Sequence, residues 1–178
     1  MLKEQFKSFF ERHDTFTIGV CNGCQMLSGL KSIIPGSDSF PKFKQNQSEV
    51  FESRLCMVEI MKSKSIFLNS MEGSVLIIPV AHGEGRVDIE SDGCCMRYVD
   101  GTKGGSTIVC YPLNPNGSVK GQTGFSSKDG RCLILMPHPE RYISCTTHTW
   151  KTNHAMKLES GAWMKLFENA REWVEQWL

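Results

Sequence analysis

The chain has 178 residues, enough for one domain with a sizeable core. Its 20 Lys and Arg nearly balance 19 Asp and Glu, which excludes a global field that recruits nucleic acid or a membrane surface. The longest apolar stretch, Val75 to Ala81, is far too short to cross a bilayer. The first residues mix acids and bases and contain no apolar run, so they do not read as a secretory signal. Of eight cysteines, Cys56, Cys110 and Cys132 sit inside apolar, strand-like runs, where a reduced thiol packs as a small hydrophobe. The expected setting is the reducing cytoplasm.

Leu2 to Arg12 carries apolar residues at Leu2, Phe6, Phe9 and Phe10, the spacing of a short amphipathic helix. Thr15–Val20 is β-branched and apolar and reads as a strand. A helix is expected over Gln25–Leu30. Ile34–Gln47 is rich in Pro, Gly, Ser and Asn and reads as loop. Strands are expected at Leu55–Ile60, Ser65–Leu68 and Val75–Ala81, followed by a polar, turn-rich stretch over residues 82–105. Thr107–Tyr111 and Cys132–Met136 complete the strands, with a turn cluster at Pro112–Gly117 between them. Ser160 is placed to cap a last helix with apolar residues at Trp163, Leu166, Phe167, Ala170, Trp173, Val174 and Trp177. Three of the four tryptophans fall on that face, which favours packing over a nucleic-acid stacking set that would include Trp150. Without repeats or low-complexity linkers, the pattern predicts one α/β domain over residues 1–178.

Two of these strands end at chemically capable residues. Gly19-Val20-Cys21-Asn22-Gly23 is a small-x-nucleophile-x-small segment at a strand end, the form of a nucleophile elbow. A glycine on each side of Cys21 allows a tight, strained turn that lifts the sulfur clear of the sheet. Pro137-His138-Pro139-Glu140 follows the second strand. Pro139 biases His138 towards an extended conformation, and Glu140, two residues on, can accept from its ring. Together these segments have the form of a Cys-His-Glu hydrolytic set. A thiol with a pKa near ~8.5 is mostly protonated at neutral pH, so Cys21 needs a base or the positive end of the following helix. Other readings stay open. Cys21 and Cys24 also form a Cys-x-x-Cys pair, but Cys94-Cys95 are adjacent and poorly spaced as a second zinc pair, so no metal site is expected. A redox pair leaves Gly19, Gly23 and Gln25 unexplained. Pro137–Glu140 taken alone also suits a solvated turn.

Ala81-His82-Gly83-Glu84-Gly85-Arg86 presents three polar side chains on a glycine-flanked loop. An anion site, a docking loop and a simple turn all fit it. Asn46, Glu52 and Arg54 are equally ambiguous: Arg54 suits a substrate carboxylate or a surface ion pair.

Through these motifs the chain resembles the class I (triad) glutamine amidotransferase family. More narrowly, it is similar to the glutaminase domain of the phosphoribosylformylglycinamidine synthases. That similarity is carried by Gly19–Met26, Phe51-Glu52-Ser53-Arg54 with Met57–Ile60, Ala81–Arg86, Tyr111–Ser118, Asp129–Arg131, Met136–Arg141 and Gly161–Arg171. The resemblance implies an open Rossmann/flavodoxin-like sheet. It implies that Cys21 attacks the side-chain amide of glutamine and releases ammonia, with His138 as base and acid and Glu140 orienting it. Asn22 would supply a backbone oxyanion donor, and Gln25 and Arg54 would hold substrate. His82, Glu84 and Arg86 would couple the domain to its synthase partner. The domain itself would need no cofactor; ATP and Mg would belong to the synthase part, which converts formylglycinamide ribonucleotide to its amidine.

The resemblance also carries a departure. The family places several strands and a Gly-Gly-Phe-Ser-like loop, the second oxyanion donor, before the elbow. Here 20 residues precede Cys21 and contain no such loop; Gly104-Gly105 lies downstream in another context. The chain is therefore expected to match the back two-thirds of the domain, lacking its N-terminal strands. A non-catalytic fragment or regulatory remnant is the alternative expectation.

Overall fold

The computed structural model describes residues 2–101, 109–147 and 160–178. In chain order its main elements are α1 (Leu2–Glu11), β1 (Thr17–Val20), α2 (Asn22–Gly29), β2 (Glu52–Ile60), β3 (Val75–His82), β4 (Cys94–Tyr98), β5 (Gln122–Ser126), β6 (Cys132–Leu135) and α3 (Met164–Glu175). The strands form one open mixed sheet in the order β1-β6-β5-β4-β2-β3. Among the described residues only β1 and β6 pair in parallel, from Thr17 opposite Cys132 to Val20 opposite Leu135. The other pairs are antiparallel, so the open sheet is mixed. Among the described residues β1 is the outermost strand on its side.

Strand alternation splits the core into two layers. Leu133 and Leu135 of β6 join Val58, Ile60, Ile78, Val80, Trp163 and Leu166, a layer closed by α3. Cys132 and Ile134 point into the other layer with Phe10 of α1, Cys24 and Leu27 of α2, Phe40 and Phe125. Helices on both faces of one sheet are what the α/β expectation requires. Among the described residues no helix is long and apolar enough to cross a membrane.

Several segments differ from expectation for identifiable reasons. Ser65–Leu68 is no strand; Ile66–Leu68 forms a 3₁₀ turn. The Asn169 side chain of α3 satisfies its carbonyls, donating to Phe67 O at 2.9 Å and Asn69 O at 2.8 Å. β4 lies within the stretch expected to be polar turns, and β5 has no counterpart among the expected strands. All five β5 residues are buried, so the strand shows no alternation of polarity. Its Gln122 bonds both backbone groups of Ser91, at 2.9 and 3.0 Å, which makes a buried amide tolerable. Thr107 and Ile108 lie outside the described residues, and Val109–Tyr111 is not a strand. Ser160 does not cap α3: the helix starts after Trp163, while Ser160 bridges Ser144. Trp163 is core, with its ring N–H on Ile77 O at 2.7 Å, and Trp173 meets Phe16 edge-on at 5.7 Å. These contacts support packing for both; Trp150 lies outside the described residues.

The approach of α2 to β1 is close enough to dictate one residue. A Cβ on Gly19 would fall 2.6 Å from the Gly23 carbonyl oxygen and 2.6 Å from Leu27 Cδ1, whereas one on Gly23 meets nothing within 4 Å. Gly19→Ala should therefore lower stability by about 1–3 kcal/mol through overpacking. Gly23→Ala should be neutral or slightly stabilising, because alanine is the better helix former. Urea unfolding of the two variants checks the contrast; equal losses would show that the helix adjusts freely.

Candidate active site

The site is assembled at the carboxyl ends of the parallel strand pair. Past Val20, the Cys21 N–H donates to Leu135 O at 2.8 Å and carries the ladder one residue further. Cys21 then adopts φ 54°, ψ −110°, and α2 begins at Asn22. A non-glycine residue held there stores on the order of 1–3 kcal/mol of backbone strain. The elbow expected from the sequence is present, but the strained residue is Cys21 itself. Of its flanking glycines, Gly19 is required by contact with α2 and Gly23 is not.

β3 is the far edge of the sheet in hydrogen-bonding order, yet it runs back to the same place. The His138 N–H donates to Pro79 O at 2.8 Å, and the Cys21 thiol donates to Ala81 O at 3.7 Å. Cys21, Asn22, Gln25, His82, Glu84 and His138 line one cavity of about 550 Å³, with Phe51 and Arg141 at its wall. The His138 ring donates through Nδ1 to Glu140 Oε1 at 2.6 Å. Its Nε2 is buried and meets no hydrogen-bond partner among the described residues. The carboxylate thus selects the tautomer that leaves Nε2 as an acceptor.

Burial pushes the Cys21 thiol above its ordinary range; the Asn22 N–H and the Arg141 guanidinium pull it back, and Glu140 opposes them. At neutral pH the sulfur is therefore protonated, and a base has to take its proton before it can attack. Cys24 is no rival. It is fully buried beside Phe10 and Leu27, and burial raises its thiol much further. All eight cysteines are free thiols. Among the described residues no group of three or more His, Cys, Asp or Glu is arranged to hold a metal ion.

The remaining candidates divide. Gln25 Nε2 donates to Glu84 O at 2.6 Å and ties α2 to the loop after β3. His82 and Glu84 belong to the cavity wall, but Arg86 does not line it. Arg86 pairs with Lys44 through both backbone groups and donates from Nε to Gln45 O at 3.0 Å. The expected trio His82, Glu84 and Arg86 is thus split between cavity and outer loop. Arg54 is not brought to the cavity either. The Glu52 carboxylate and the Tyr111 hydroxyl (2.9 Å) hold its guanidinium, which lies 4.9 Å over the Tyr111 ring. One contributor escaped the sequence reading, and another was left without a role. Arg141 borders the cavity, and its place directly after Glu140 was the available clue. Asn46, read as ambiguous, anchors the loop: it bonds His82 O at 2.8 Å and Gly85 N at 3.2 Å.

His82 has a consequence for folding. Burial, reinforced by nearby His138, lowers its pKa from 6.5 to about 4, against smaller raising effects from a backbone hydrogen bond and Glu52. The folded chain then refuses a proton that the unfolded chain accepts. Stability due to neutral His82 is full above pH 6.5, falls as pH drops, and is gone near pH 4. The loss is on the order of 3 kcal/mol at most. Urea midpoints measured across that window should fall less steeply for His82→Gln than for the wild type; parallel slopes would place the titration elsewhere.

Residues 1–174 match the CobB/CobQ-like glutamine amidotransferase domain family. The fold is similar to that of PurLQS from Thermotoga maritima, with a TM-score of 0.71 at 24% identity, over 97% of this chain and 68% of that one. It is also similar to a protein from Thermoplasma acidophilum described as a GMP synthase component, with a TM-score of 0.54 at 14% identity, over 98% of this chain and 65% of that one. These likenesses concern the fold, whereas the family match spans nearly the whole sequence. The chain belongs to the CobB/CobQ-like glutamine amidotransferase domain family.

Proposed function

We propose that this domain is a glutaminase that hydrolyses the side-chain amide of glutamine and supplies ammonia to a synthase. The observation that carries the reading is the strained Cys21 elbow facing the same cavity as a His138 whose Nδ1 is bound to Glu140. His138 Nε2 takes the Cys21 proton, and sulfur bonds to the amide carbon. The C–N bond breaks as His138 returns the proton to nitrogen, leaving a γ-glutamyl thioester and ammonia. Water, deprotonated by His138, then bonds to the thioester carbon; the C–S bond breaks, His138 returns the proton to sulfur, and glutamate leaves. Asn22 supports this step through its backbone N–H, which already favours negative charge on the Cys21 sulfur. Gln25 offers a polar contact from α2, and Phe51 lines the opening.

The finer assignment is to formylglycinamidine ribonucleotide formation in a cytoplasmic purine route. It is supported by the segments Ala81–Arg86 and Tyr111–Ser118 and by the fold likeness to PurLQS. In this reading ATP and Mg bind the synthase partner, which receives the ammonia, and Arg86 on the outer loop contributes to that contact.

Intact mass after incubation with a glutamine-mimicking electrophile tests the nucleophile. One adduct is expected on the wild type and on Cys24→Ala, and none on Cys21→Ala. With glutamine, His138→Ala should slow thioester formation by about 10²–10⁴-fold. Glu140→Gln should lose less, because Glu140 orients the ring and transfers no proton. An adduct that persists in Cys21→Ala sinks the assignment.

A further inference from the structure

A second histidine stands in the cavity wall, and the reaction outlined above does not use it. His82 ends β3 and is 3% exposed. Its tautomer is decided by Asn46. That side chain donates through Nδ2 to two carbonyls, Val50 O at 3.0 Å and His82 O at 2.8 Å, so its other atom is the amide oxygen. The oxygen accepts from the Gly85 N–H at 3.2 Å and lies 3.3 Å from His82 Nδ1. An amide oxygen pairs with a ring nitrogen only when that nitrogen carries the proton. His82 Nδ1 is therefore protonated, and Nε2 is a bare acceptor, buried and without a partner among the described residues. The ring is also held in place: a Cβ on Gly85 would fall 2.4 Å from its Cε1, so the loop lies directly against it.

His82 lines the same cavity as Cys21, and its fixed, unpaired acceptor suits a ligand that brings an N–H donor. We propose that His82 positions the leaving group: its Nε2 accepts a hydrogen bond from the substrate carboxamide, and then from the ammonia that departs. This rests on the glutaminase reading. In the acylation step the S–C bond forms, the C–N bond breaks, and the proton that His138 took from Cys21 ends on nitrogen. The product is neutral NH₃ with its lone pair intact. His82 gives and takes no proton. It stays neutral near pH 7, because burial lowers its pKa to about 4. It therefore holds ammonia without converting it to ammonium, which would be useless as a nucleophile for a synthase.

The test compares two acyl donors that share a γ-glutamyl group: glutamine, and glutamate γ-methyl ester, whose leaving group has no N–H. Thioester formation is followed by rapid quench and intact mass for the wild type, His82→Leu and His82→Gln. His82→Leu should lower the glutamine rate roughly tenfold more than the ester rate, the worth of one buried hydrogen bond. His82→Gln, whose amide oxygen can accept, should recover most of that ratio. Each variant is compared with itself, so a loss of folded protein cancels. Equal losses on both donors, or none on either, would overturn the role of His82 and leave the glutaminase reading standing. A wild type that forms no thioester from glutamine overturns the glutaminase reading, and this inference with it.

Discussion

The molecule turns on one juxtaposition: the carboxyl ends of β1 and β6 meet β3, the opposite edge of the same sheet. Two backbone bonds hold it, Cys21 N–H to Leu135 O and His138 N–H to Pro79 O, each at 2.8 Å. Without the first, Cys21 has no reason to leave the strand where it does. Without the second, the Pro-His-Pro-Glu segment is not anchored beside β3. These bonds are parts of ladders and turns, so their geometry inherits the rigidity of the core. A site placed on such elements is positioned better than one built on free loops.

Around that frame the sequence places polar groups in a largely apolar interior. Among the described residues several buried polar atoms lack a partner, and two of them are ring acceptors of histidines that line the cavity. Glu140 satisfies His138 Nδ1, and Asn46 satisfies His82 Nδ1; both Nε2 atoms remain unpaired among the described residues. A buried unpaired acceptor is costly to the fold. Two of them in the wall of the cavity that holds a strained cysteine make it the natural seat of a ligand. Strain and unsatisfied polarity coincide here, the usual sign that stability has been yielded to chemistry.

The two histidines nevertheless have different characters. His138 has a carboxylate on its ring, which suits a group that must take up and return a proton. His82 has only a neutral amide on its ring and is driven to remain neutral. In the proposed mechanism the same side chain type serves as a proton carrier in one environment and as a fixed acceptor in the other.

Much of this was readable in the sequence. The elbow, the strand that leads into it and the Pro-His-Pro-Glu segment after another strand are local signals: short apolar runs broken by residues with strong backbone preferences. The sequence determined that Cys21 ends one strand, that His138 follows another, and that Glu140 lies within reach of its ring. It also determined the amphipathic helices α1 and α3, whose apolar spacing needs no tertiary context. β4 and β5 were not legible, because strands buried on both faces lose alternation and a residue such as Gln122 looks like a turn former until Ser91 satisfies it. Only the tertiary structure decided that Arg54 serves Glu52 and Tyr111, that His82 and Arg86 part company, and that Asn46 sets the His82 tautomer. The Tyr111 and Asn46 contacts join residues some 30 to 60 positions apart. No local preference encodes them; they exist only once distant loops are brought against β2 and β3.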